Sequence, residues 1–143
     1  MPRLTTPEIE RLFADRIMVL DGAMGTSIQQ RGLSASDYGG SQFEGCEDYV
    51  SVTRPDVIAG IHAEYLAAGA DIVETNTFGA SGTVLAEYGL EGEVETVNLA
   101  AAEVARAAAD AASTAGRPRL AAGSMGPGTK SISVTGGITW EEV

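Results

Sequence analysis

Three short loops carry the residue types that can hold a small polar ligand. The first, "LDGAMGT" from Leu20 to Thr26, joins an aspartate to two glycines and a hydroxyl. Glycine lets a backbone approach a ligand closely, and Asp21 can accept hydrogen bonds from an ammonium group. Gly22 and Ala23 complete that turn. The second loop sets the hydroxyls of Thr75 and Thr77 and the amide of Asn76 beside the ring of Phe78, a set suited to hydrogen-bonding a small zwitterion. The third is "GSMGPG", Gly123 to Gly128. None has the G-x-G-x-x-G spacing of a dinucleotide loop or the Lys-Ser/Thr of a P-loop, and Asp21 would repel a phosphate. An amino-acid-like ligand fits these loops better than a nucleotide.

Each loop, taken singly, is also what a tight connection looks like. A D-G-x-x-G turn can serve only to reverse the chain, and Asn76 and the threonines can serve as strand-end caps. Glu74 points either into a barrel interior or at a helix layer, and two-residue alternation does not decide between them. Cys46 has no partner histidine or second cysteine near it and reads as a small apolar filler. His62, inside "AGIHAEYL", reads as a packed or surface histidine. The acidic pairs Glu91/Glu93 and Glu141/Glu142 read as solvated helix beginnings.

The elements that must position the loops follow from periodicity. Thr6 and Pro7 predict a helix start, and Ile9, Leu12 and Phe13 at helical spacing carry it to about residue 15. "RIMVL" reads as a buried parallel strand that ends at Asp21. "TRPDVIAGIHAEYLAAG" predicts a helix capped by Thr53, with Val57, Ile58, Ile61 and Tyr65 on one face and Gly69 as its stop. "ADIVETNTF" predicts a strand, "ASGTVLAEYG" a short helix, and residues 93 to 115 a long helix with Val94, Val97, Ala101, Val104 and Ala108 repeating at three and four. "RLAAGSM" predicts a third strand, and Thr139 to Glu142 form a T-x-x-E capping box for a further helix. Strand, loop and helix alternate, so the expected class is α/β, with a parallel sheet and outer helices in a single domain over residues 1–143. Ligand loops in such folds sit at the carboxyl ends of the strands.

Composition narrows the function. The net charge of -11 disfavours nucleic acid and anionic membrane surfaces as partners. The apolar runs are too short for a membrane helix, and "MPRLTTPEIERL" lacks the apolar segment of a signal peptide, so a cytoplasmic location is expected. With a single Cys and a single His, the chain cannot supply the three or four ligands of a zinc site.

Read together, "VLDGAMGT", "GCEDYVSVTRPDVIAGIHAEYLAAGADIVETNTFGA" and "AAGSMGPGTKSISVTGGITWEEV" resemble the start of the homocysteine S-methyltransferase domain of cobalamin-dependent methionine synthases. The resemblance runs in order along essentially the whole chain. It implies the N-terminal half of a TIM (β/α)8 barrel, incomplete because about 250 residues are needed to close one. It also implies L-homocysteine as substrate, held at its amino-acid end by Asp21, Gly22, Ala23, Thr75, Asn76, Thr77 and Phe78. The family's zinc, held by three cysteine thiolates, makes the substrate thiol nucleophilic. Its zinc cysteines lie on later strands, and Cys46 does not match them. No catalytic residue and no metal ligand is therefore expected in this chain, and alone it should be inactive. Methylcobalamin and methyltetrahydrofolate, bound by other domains, are implied as methyl sources, and the rest of the barrel and those domains as partners. Related methyltransferases that take the methyl group from betaine or S-methylmethionine share the barrel, and the loops alone separate them poorly. A non-catalytic half-barrel binding module is the competing reading from another class. An aldolase-like barrel would want a reactive lysine at a strand end, whereas Lys130 follows the strand in a glycine-rich loop.

Overall fold

The computed structural model describes residues 4–130 and 137–139. Helix α1, Thr6–Asp15, is capped one residue earlier than predicted, by Thr5. The Glu8 carboxylate accepts hydrogen bonds from the Thr5 N–H and hydroxyl, each at 2.7 Å, which satisfies an amide the first turn would leave open. The expected strand "RIMVL" shrinks to one parallel bridge, Leu20 to Ile72. Two hydrogen bonds extend that contact: Val19 O accepts from Ile72 N at 3.1 Å, and Asp21 N donates to Ile72 O at 3.0 Å. Met18 is partly buried, but Val19 and Leu20 are about half exposed and Ile17 is 90% exposed among the described residues, so a longer ladder gains little from burial there.

A short helix not foreseen from periodicity, α2 at Met24–Gln29, leaves the first loop directly. Helix α3, Val50–Thr53, absorbs the threonine expected to cap the next helix. Helix α4, Pro55–Ala68, instead starts after Arg54 with Pro55 in its first turn, where the missing N–H costs nothing. It stops at Gly69, whose φ of 117° is left-handed, as the glycine predicted. Ile58 and Ile61 of α4 pack with Ile28, Tyr38 and Val50 in one buried cluster, with Val104 against it. Each such aliphatic side chain contributes about 1.5–3 kcal/mol on burial.

The sheet is parallel. Strand β1, Ile72–Glu74, and strand β2, Leu120–Ala122, pair Ile72 with Leu120, Val73 with Ala121 and Glu74 with Ala122. Both are shorter than predicted. Beyond one more bond from Thr75 N to Ala122 O, the backbone turns on itself through Thr77 N to Thr75 O. Between the strands run α5, Gly82–Leu85, and the long α6, Val94–Ala112. The fully buried row of α6 is Val97, Ala101, Ala105 and Ala109, a spacing of four, with Val104 and Ala108 partly buried beside it. Small residues in that row let α6 lie close, so that Ala105 and Ala109 share a cluster with Leu66 of α4 and Val73 of β1. Of the predicted capping box at Thr139, the residues from Trp140 onward lie outside the described residues.

Asp71, just before β1, ties the amino ends of the strands together. Its side chain is 1% exposed, and its Oδ1 accepts from Arg16, from Arg117 at 3.0 Å and from Arg119 at 3.2 Å. Its Oδ2 accepts from Val19 N at 3.2 Å. Burial alone would raise this carboxyl, but the Val19 N–H and the guanidinium groups outweigh it and hold the pKa below the ordinary aspartate value. The chain is thus an α/β fold with parallel strands, pinned at one end by charge and open at the other.

Candidate functional site

At the carboxyl ends of the strands, loops far apart in sequence meet around an open cleft of about 550 Å³. Asp21, Gly22 and Ala23 line it from the first loop, and Thr75, Asn76 and Phe78 from the second. Thr77 is the exception among the expected residues: buried, it shares a 2.6 Å hydrogen bond with the Thr75 hydroxyl and donates to Ser124 O at 2.7 Å. Its hydroxyl ties the second and third loops together. Ser124 lines the cleft from the third loop.

Local backbone makes the shape. Ala23 sits at φ 47°, a left-handed conformation costly for a residue with a Cβ, and this turn swings the chain from Asp21 into α2. Asp21 points inward with its side chain 3% exposed, and its Oδ1 accepts from Glu74 N at 3.0 Å. Asn76 is fixed by two donations from Nδ2, to Glu47 O at 2.7 Å and Ser51 Oγ at 3.1 Å. Its side-chain oxygen is thereby left to face elsewhere. The Phe78 ring is 64% exposed, and Phe78 O accepts from Gly126 N at 3.0 Å. A Cβ on Gly126 would stand 2.5 Å from Phe78 O, so the crossing requires glycine.

The wall has members that the loop motifs did not reveal. Glu47 and Asp48 join Asp21 and Glu74, so four acidic residues line one cleft. Asp48 Oδ1 accepts from Gly79 N at 2.9 Å. Burial raises the Asp48 pKa, opposed by the Gly79 N–H and reinforced by neighbouring Glu47. Adjacent acids in "GCEDYV" were the available signal, but nothing local says that the turn folds back on the strand ends. The acidic side of the cleft favours a cationic group, while Thr26, Gln29 and Ser124 add neutral polar groups to the lining. Glu74, ambiguous from its strand position, lines this cleft.

Cys46 is buried at 2% exposure, and desolvation pushes its thiol up to about 11. It packs with Leu85, Leu90 and Val97 as filler, apart from the cleft lining. His62 is fully buried, with Nδ1 3.8 Å from Asp21 Oδ2. Among the described residues no group of three or more His, Cys, Asp or Glu side chains is arranged to hold a metal ion, and no helix is long and apolar enough to cross a membrane.

Known proteins resemble this chain in sequence and in fold. The methionine synthases of Mycobacterium leprae and Mycobacterium tuberculosis are 44% and 43% identical over 117 and 119 residues, or 82% and 83% of this chain. The chain spans 10% of the length of each. Two crystal structures of the homocysteine methyltransferase MmuM from Escherichia coli, metallated and oxidized, superpose with TM-scores of 0.64 and 0.66 at 29% and 30% identity. Each match covers 83% of this chain and 41% or 40% of the MmuM chain. The fold is thus of the TIM-barrel type found in MmuM. The homocysteine S-methyltransferase family matches residues 18–143, nearly the whole sequence, and the chain belongs to that family.

Proposed function

We propose that this chain is the homocysteine-holding, N-terminal part of a (β/α)8 barrel in a methyltransferase that makes methionine from L-homocysteine. The observation that carries this reading is the convergence of the first two loops on one cleft at the carboxyl ends of parallel strands. The Asp21 carboxylate accepts the substrate ammonium, while Gly22 and Ala23 let the backbone pass close to its Cα. Thr75 and Asn76 bond the polar end, Thr77 holds Thr75 in place, and Phe78 shields the thioalkyl chain. An acidic lining suits the ammonium group, and burial of Asp21 strengthens that contact.

The zinc implied by the family resemblance does not fit the residues present. The lone cysteine is buried, its thiol raised to about 11, and the described residues hold no ligand cluster. Zinc in this reading belongs to residues outside the chain, and the chain's own part is to bind and orient the amino acid. Methylcobalamin, recharged by methyltetrahydrofolate on other domains, supplies the methyl group. The closer identity to mycobacterial methionine synthases than to MmuM favours this donor over betaine or S-methylmethionine. By itself the chain is inactive, and the reading places it in the cytoplasm.

Titration calorimetry with L-homocysteine tests the reading. One-to-one binding to the wild type, weakened roughly tenfold or more in Asp21→Asn, the scale of one hydrogen bond to a charged group, is the expected result. Absence of binding, or equal binding by the variant, would overturn it.

A further inference from the structure

His62 stands on α4, outside every loop motif, and its side chain is fully buried. Neither ring nitrogen has a hydrogen-bond partner among the described residues. A buried imidazole without a partner is costly, and native proteins rarely leave one. The nearest carboxylate is that of Asp21, Oδ2 to Nδ1 at 3.8 Å, itself 3% exposed. The other Asp21 oxygen is already engaged by Glu74 N at 3.0 Å. Asp21 is therefore held at one oxygen and faces an unsatisfied donor at the other.

We infer that His62 is a positioning residue for Asp21: its Nδ1–H donates to Asp21 Oδ2 after a small approach of the two side chains, and fixes the carboxylate plane. A gap of 3.8 Å is too short to seat a bridging water, and an approach of less than about 1 Å brings the pair within hydrogen-bond range. With Glu74 N on one oxygen and His62 on the other, Asp21 cannot rotate away from a ligand without breaking a bond. The orientation is thus paid for before binding, which is where preorganisation raises affinity. His62 reaches no ligand itself, since it is not among the residues lining the cleft. That Asp21 receives a substrate ammonium rests on the function proposed above, whereas the contact between His62 and Asp21 does not.

Two measurements separate these claims. The chain has one histidine, so nitrogen-15 imidazole spectra report on His62 alone. A proton on Nδ1, with a Nδ1 shift that changes in Asp21→Asn, is expected; a neutral ring protonated only at Nε2 and indifferent to that variant would overturn the inference. The second measurement compares L-homocysteine with 4-mercaptobutanoate, which lacks the amino group. His62→Leu should lose roughly tenfold in affinity for L-homocysteine and little for 4-mercaptobutanoate. His62→Asn, whose amide can reproduce the Nδ1 donor, should recover most of that loss. Equal losses for both ligands, or no rescue by Asn, would mean a packing role only and overturn the inference. Failure of the wild type to bind L-homocysteine would sink the proposed function, and the tautomer would still decide the His62–Asp21 contact.

Discussion

Replacing Asp71 by Asn should unpin the amino ends of the strands. Asp71 Oδ1 accepts from three guanidinium groups and Oδ2 from Val19 N. Asn must place its NH2 on one side or the other, against either the cations or the Val19 N–H, so one set of contacts is lost in any rotamer. The side chains of Arg16 and Arg117 are 35% and 44% exposed, and such pairs contribute about 0–1 kcal/mol each. Arg119 is different, at 9% exposure, and removing the partner of a buried charge costs about 3–5 kcal/mol. Of a domain stability of roughly 5–15 kcal/mol, that is a large share. In urea, with a slope of about 2 kcal/mol per molar, a loss near 4 kcal/mol lowers the midpoint by about 2 M. The folded pKa of Asp71 lies below its ordinary value, so its contribution is fully present above about pH 4 and fades as pH falls through the folded pKa. Far-UV circular dichroism in urea at pH 7 and at successively lower pH measures both effects. A variant within about 0.5 kcal/mol of wild type at pH 7, the usual range for an ordinary surface substitution, would refute the reasoning. A difference that does not shrink under acid would refute the assignment to the charged form.

Ala23 pays for a left-handed φ of 47°, so Ala23→Gly should raise the melting temperature by about 3 °C and Ala23→Val should lower it, read by thermal denaturation. Gly126→Ala forces a Cβ to within 2.5 Å of Phe78 O and should cost about 1–3 kcal/mol, measured by urea titration, with the Phe78 loop displaced. Cys46, buried with its thiol raised to about 11, should resist a disulfide reagent at pH 8 in the native chain and react at once in denaturant, as thiol titration would show.

The long elements were legible because their signals are local. The row through Ile58 and Ile61, the stop at Gly69 and the alanine-rich face of α6 are periodic or conformational properties of the chain itself. The first strand was overestimated because Ile17, Val19 and Leu20 look buried by composition yet are exposed among the described residues, where Leu20 bridges to Ile72. The first turn of α4 was misplaced for a related reason: Thr53 is a good cap in isolation, but α3 already uses it.

The sequence by itself determined the α/β alternation, the glycine-bearing loops at the strand ends and the family resemblance, since each depends on residues adjacent or periodic along the chain. Only the tertiary structure decided that Asp21 and Asn76 share a cleft, that Glu47 and Asp48 complete its acidic wall, and that Thr77 turns inward while Thr75 lines the opening. It alone placed His62 beside Asp21 and gathered Arg16, Arg117 and Arg119 on Asp71. Those partners are dozens of residues apart, and burial, which sets the strength of every such charge contact, is a property of the packed layers and not of any segment.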